Sequence, residues 1–243
     1  MTHTSAAQRI RAHALWELRL LLRNGEQLLL MFVVPVLLLI AIGFSGLSTK
    51  RIDAAVPTVL AVSIMATCFT SLAIGTGFER RSGALRYLGT TPLTRLDLIV
   101  GKFAATAVLT AMSMIVIVIV GLALSWRPDL TGIPAAGLIA VLAAAAWVSW
   151  ALVLAGLLRA EAVLAIANGL FLLLILFGGV VVATSQMPDA VASVIDLLPS
   201  AALANGLRES LQQGGLPVLP VIVLLVWTAI GVVLARRSFR WEP

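Results

Sequence analysis

The residues able to do chemistry are few, and their spacing excludes more than it supports. Both histidines, His3 and His13, lie at the start of the chain, and the single cysteine, Cys68, sits in an apolar run. That leaves no intrachain disulfide framework and no cluster of His or Cys ligands for a metal. A serine nucleophile at membrane depth needs a His or Lys base beside it, and none is available there. An aspartyl pair needs two buried carboxyl groups sharing a proton. Asp53, Asp97, Asp129, Asp189 and Asp196 fall instead at the ends of apolar runs or in loops. Gly101-Lys102 is followed by Phe103, so the phosphate-cradling pattern G-x-x-x-x-G-K-[ST] is absent. No catalytic residue, metal or cofactor is expected in this chain, and ATP-driven work would require a second polypeptide.

One charged stretch has informative spacing: Glu79-Arg80-Arg81-Ser82-Gly83-Ala84-Leu85-Arg86-Tyr87-Leu88-Gly89-Thr90-Thr91-Pro92-Leu93-Thr94-Arg95. Ser82 suits the cap of a short helix whose apolar side carries Leu85 and Leu88. Gly89 suits its stop, and Pro92 prevents a smooth continuation. Thr94 or Asp97 then suits the start of the next helix. Taken bare, the stretch is a basic loop at a membrane surface.

The elements that must position this loop are membrane spans. Of 243 residues, 60% are apolar and only 12% are charged, and the mean hydropathy is +1.07. A soluble domain is about 45–50% apolar and about 25% charged. Apolar runs predict six spans, near 28–47, 54–78, 98–126, 133–158, 162–184 and 216–235, with Pro35 inside the first. The chain is therefore expected to be one all-α membrane domain over 1–243. Six spans put both ends on one side. Thirteen of the 17 Lys and Arg residues fall on that side, in the N-terminal segment, at Arg80 to Lys102, at Arg159 and at the C-terminus. Lys50, Arg51, Arg127 and Arg208 fall on the other. Positive loops stay cytoplasmic, so both termini of a cell-membrane protein are expected there. The same asymmetry accounts for the net charge of +6 without a nucleic-acid partner.

Before the first span, residues 1–26 interleave Arg9, Arg11, Arg19 and Arg23 with Leu15, Trp16, Leu18 and Leu22. Leu15, Leu18 and Leu22 recur at helical spacing, which predicts an amphipathic helix at the membrane surface. Its arginines could anchor it on lipid phosphates. No Asp, Glu, Lys or Arg is expected deep in a span, which argues against a proton- or sodium-coupled transporter. The polar side chains at depth are mild. Thr67, Thr110 and Asn168 are the candidates for a substrate path, against the plain alternative that they hydrogen-bond between helices. Residues 185–215 mix Met187-Pro188-Asp189 and Leu198-Pro199-Ser200 with apolar Val191, Val194 and Ile195. They predict short outer helices, either re-entrant or lying on the headgroups.

The loop resembles that of ABC-2 type transporter permeases, which show E-[RK]-x-x-G-[TA]-L-x-x-L-x-x-[TS]-P-x-[ST] with G-K shortly after. Glu79, Arg80, Gly83, Leu85, Leu88, Thr91, Pro92, Thr94, Gly101 and Lys102 match it, and Ala84 stands where Thr is common. The resemblance covers essentially the whole chain. It implies an N-terminal connecting helix, six spans and a short outer hairpin before the last. It also implies that residues 79–97 hold a coupling helix that docks on a separate ABC ATPase subunit, which carries Mg-ATP. Leu85, Tyr87 and Leu88 would bury in that subunit, while Glu79, Arg80, Arg81 and Arg86 would set orientation. A second permease chain, identical or different, would complete an exporter of a hydrophobic or amphipathic cargo such as a drug, a lipid or a lipid-linked glycan. The alternative is an ATP-independent six-helix channel or carrier subunit, in which the loop docks nothing.

Overall fold

The computed structural model describes residues 5–44 and 49–238, and among them there is no strand. Twelve α-helices follow one another. They are α1 (Ala6–Arg23), α2 (Gly25–Leu28), α3 (Val34–Phe44), α4 (Thr49–Met65), α5 (Leu72–Arg81), α6 (Ala84–Gly89), α7 (Arg95–Ala123), α8 (Ile133–Leu157), α9 (Ala160–Phe177), α10 (Asp189–Ile195), α11 (Pro199–Gln213) and α12 (Val218–Ser238). A π-helical segment, Leu29–Val33, joins α2 to α3, and another, Ala66–Ser71, joins α4 to α5.

Five helices are long and apolar enough to cross a membrane: Ile52–Arg81, Leu96–Ala123, Leu130–Leu157, Ala160–Phe177 and Val218–Arg237. The pair α10–α11, bent by 101°, is a sixth candidate. The chain is a multi-pass membrane protein. The first expected span, 28–47, is helical through residue 44, and its last residues lie outside the described part. At about 1.5 Å per residue, the run from 25 to 44 is roughly 30 Å long. The expected span 162–184 ends early, at Phe177. Gly178-Gly179 follows it, and Ser200 donates a hydrogen bond of 2.9 Å to the Gly178 carbonyl.

Helix α8 is the centre of the bundle. Its residues are apolar on every side, and Ala143, Ala144, Ala146, Ala151 and Ala155 are all buried. Such a helix belongs inside a core, and its small side chains let α12, α5, α11 and α4 approach closely. Outward faces are apolar too. Ile115 and Ile119 on α7, and Leu172, Leu176 and Phe177 on α9, are more than half exposed. A belt of this size fits hydrocarbon and not water.

Two prolines lie inside the bundle's helices, and each removes the N–H that would bond the carbonyl four residues earlier. For Pro35 that carbonyl is on Met31, and the Ser113 hydroxyl of α7 donates to it at 3.3 Å. For Pro57 it is on Asp53, and the Gln212 amide of α11 donates to it at 2.8 Å. Both freed carbonyls are therefore met from another helix; the Met31 bond is buried, as an apolar surrounding demands, and the Asp53 bond is exposed near the start of α4.

Candidate functional site

The charged loop and α1 meet at one end of the bundle. Helix α1 is capped reciprocally by Ser5 and Gln8, and α7 likewise by Thr94 and Asp97. The Asp97 carboxylate also takes the Arg9 guanidinium at 2.9 Å, tying the start of α1 to the start of α7. Leu15 and Leu22 of the expected apolar stripe are exposed, and Leu18 is half-buried. The residues of α1 that are buried against α7 are His13 and Glu17, one turn apart. Polar groups turn inward there because a cation is waiting for them.

That cation is Lys102. It is 1% exposed, pairs with Glu17 from α1, and pairs with Glu79 from the end of α5 at 2.8 Å. Sequence reading placed Lys102 among the loop charges. The structure puts it two turns inside α7, fully enclosed. Three helices thus converge on one buried ammonium, which faces two carboxyl groups. His13 lies beside it. His13 packs directly on Gly101, where a Cβ would fall 2.4 Å from the ring. Only glycine lets α1 sit this near α7.

Burial holds the His13 imidazole below its ordinary range; Glu17 opposes that, and Lys102 reinforces it. A histidine whose folded value is depressed stabilises the fold above about 6.5, its unfolded value. That contribution fades as the pH drops toward the folded value, because the unfolded state then binds the proton more readily. Acidifying from pH 7.5 to 5.5 should therefore loosen α1 from α7 more in the wild type than in His13→Gln. Cysteine labelling along α1 checks this, and identical profiles for both proteins would refute it.

The loop itself closes α5 and then turns out. The Ser82 hydroxyl donates to the Glu79 carbonyl at 3.0 Å, so Ser82 ends α5 and does not cap α6 as expected. The residue before α6 is Gly83, at φ +79°, a conformation that side chains other than glycine's disfavour. Thr90 and Thr91 donate to the carbonyls of Tyr87 and Leu88, which finishes α6.

The expected docking residues divide into two sets. Glu79 faces Lys102, and Arg80 donates to the carbonyls of Gly156, at 2.7 Å, and Leu158, which lie at the end of α8. These two serve the bundle. Arg81, paired with Glu161 of α9, is exposed, and Tyr87, Thr91 and Pro92 are exposed as well. Leu88 is half-buried. The side chains of Leu85 and Arg86 lie outside the described residues. Between Ala12, His13 and Trp16 of α1 and Leu88, Pro92 and Leu93 of the loop runs a surface groove of about 520 Å³. Of the α1 arginines, Arg9 lines the groove and pairs with Asp97, while Arg11, Arg19 and Arg23 are exposed.

The candidate path residues do not converge. Thr67 donates to the Ser63 carbonyl at 2.9 Å, and Thr110 bonds Cys68 at 3.3 Å, both in the seam between α7 and the helix carrying the second π segment. Asn168 is exposed on α9 and donates to its own helix at Leu164. Sequence reading missed two polar centres, the Lys102 cluster and Arg208. The signal for the first was a lone Lys within an apolar run.

At the opposite end, Arg208 of α11 is buried. Its guanidinium donates to the Gly179 carbonyl at 3.0 Å, the Asn205 side chain at 3.0 Å, the Thr58 hydroxyl at 3.0 Å and the Val180 carbonyl. Asn205 in turn donates to Asp196 at 2.9 Å, so one amide separates the cation from a carboxylate. The model of the family described as ABC-2 type transporter matches residues 8–211, most of the chain. No curated protein matches it.

Proposed function

Starting from a chain that belongs to the ABC-2 type transporter family, we propose that it is the permease subunit of an ATP-driven exporter whose ATPase is a separate polypeptide. The carrying observation is the groove between α1 and the loop at Leu88 to Leu93. It is apolar within, exposed, and built on residues that are otherwise held rigidly. Arg9 with Asp97, and Lys102 with its two carboxylates, fasten the α1 wall to α7 and α5, the two helices that the loop wall joins. A rigid ATPase element seated there would move both helices together.

In this reading the positive excess puts the groove in the cytoplasm. The run 25–44 crosses with the five long helices, and both termini share that side. Helix α1 presents Leu15 and Leu22 to the bilayer surface and its arginines to lipid phosphates. The α10–α11 pair forms a re-entrant outer hairpin, of which α11 is buried against α4, α8 and α12 while α10 stays at the outer rim with no buried residue. Two such chains, identical or paired with a related one, would flank the transport path, and Mg-ATP is hydrolysed in the partner ATPase. The cargo is hydrophobic or amphipathic, in keeping with an interior whose one buried lysine is occupied by structural ion pairs.

Co-purification from native membranes tests this. The wild-type chain should bring down a stoichiometric P-loop ATPase. Ala12→Glu with Leu88→Asp should weaken that association roughly 30-fold or more, the range for losing a central interface anchor. A chain that purifies alone under mild crosslinking would favour an ATP-independent channel or carrier subunit, and an association indifferent to both substitutions would overturn the groove as the docking site.

A further inference from the structure

Among the described residues of the five long helices, leaving out the two at either end of each, every exposed residue is apolar with one exception, Asn168. It stands at the middle of α9, Ala160–Phe177. One N–H of its amide donates to the Leu164 carbonyl of its own helix at 3.0 Å. The second N–H and the amide oxygen find no partner among the described residues. A carboxamide carries two donors and an accepting oxygen, and hydrocarbon offers a partner for neither kind.

The helix that carries it is also the least covered. The buried share of α9 is 17%, against 28% to 67% for the other four long helices. Ala165 and Gly169 lie beside Asn168, four residues apart, and both are exposed. A Cβ on Gly169 would meet nothing within 4 Å, so packing inside this chain does not account for the missing side chain. Small residues at that spacing let a second helix bring its backbone close. Leu172 and Leu176 continue the same face along α9, and both are more than half exposed.

We propose that this face of α9 packs against the same face of a second, identical chain, with the two Asn168 amides bonded reciprocally across a two-fold axis. A two-fold interface brings each residue near the axis to its own counterpart. The carboxamide suits that arrangement because it both donates and accepts. A lipid tail offers only methylenes at mid-depth. The chain itself presents an amide at the required depth, on a face open enough to be reached. A single polar pair in an apolar seam also fixes the register of the two helices. The inference deepens the reading of two permease chains flanking a path, making them identical, and rests on that reading only for the word permease.

The test uses the full chain in phosphatidylcholine vesicles, with donor and acceptor fluorophores at the N-terminus of separate copies. Energy transfer should fall on lipid dilution as a dimer dissociates. Asn168→Leu should weaken association roughly 3- to 30-fold, the worth of a polar bond between membrane helices. Asn168→Gln keeps the amide and should restore part of the loss. Gly169→Ile, whose side chain meets open space within one chain, should weaken association at least as much as Asn168→Leu. Crosslinking then fixes the face, in a Cys68→Ser background that removes the only thiol. Ala165→Cys and Leu172→Cys should form disulfides between chains. Ile166→Cys and Leu173→Cys, exposed on the neighbouring face, should not. Energy transfer no greater than chance encounter, association unchanged in Asn168→Leu or Gly169→Ile, or crosslinks that favour Ile166→Cys and Leu173→Cys would each overturn the interface. So would reaction of Asn168→Cys with a charged, membrane-impermeant thiol reagent in the absence of crosslinks, which would give the face to an aqueous path. Crosslinks in native membranes that join Ala165→Cys only to a different polypeptide overturn it as well. A dimer with no ATPase association sinks the export reading alone, and ATPase association of a chain that stays monomeric sinks this interface alone.

Discussion

Lys102→Met lowers the stability of the folded permease by about 3–5 kcal/mol, the range for removing one partner from a buried ion pair. The size follows from what remains. Glu17 and Glu79 both face the vacated position, and Glu17 is almost fully buried. Glu17 loses its counter-charge where water cannot replace it, and Glu79, whose side chain is 24% exposed, loses its partner at the rim. The expected result is a lower thermal midpoint and release of α1 from α7, read as new labelling of cysteines placed at Ala105 or Ala14. The neutral triple variant Glu17→Gln, Glu79→Gln, Lys102→Met should recover a large part of the loss, because a missing charge is worse than no charges at all. A single variant within 1 kcal/mol of wild type would show that the cluster is wetter and looser than its burial implies.

Arg208→Leu should act at the other end with about 3 kcal/mol or more. It strands the carbonyls of Gly179 and Val180 and the Asn205 side-chain oxygen, and each unsatisfied buried group costs about 1–3 kcal/mol. It also cuts the link from α11 to Thr58 of α4. Arg208→Lys keeps the charge but not the planar fork that reaches several oxygens at once, so it should be intermediate. Transport should fall steeply in both variants while ATPase co-purification stays unchanged, since the groove is at the far end of the bundle. Loss of ATPase association in Arg208→Lys would mean that the two ends are not structurally separate.

The contrast between these sites and the loop explains what sequence could reveal. The start of α7 at Thr94 and Asp97 and the end of α6 at Gly89 were legible because they depend on residues within a few positions of each other. The spans were legible because hydrocarbon imposes one simple composition on about 20 residues. The pairing of Glu17 with Lys102 joins positions 85 apart, and no local pattern announces it. Charge counting hides it as well, because a lysine near a span end adds to a positive loop whether it faces out or in. Ser82 misled for a related reason: the hydroxyl that could cap the next helix can equally close the previous one. The early end of α9 depended on Ser200, which reaches back to Gly178 from the hairpin.

The two proline-freed carbonyls carry a consequence for how the chain is made. Ser113 lies 82 residues after Met31, and Gln212 lies 159 residues after Asp53. At about 5–20 residues per second, the donor for the first helix emerges roughly 4–16 s late, and that for the second roughly 8–32 s late. During that interval the first helix holds an open carbonyl that hydrocarbon penalises by several kcal/mol, whereas the second helix's, near the exposed start of α4, is open to water. The first helix therefore reaches its final state only after α7 arrives. A chain truncated before Ser113 leaves its first helix unfinished however long it resides in the membrane.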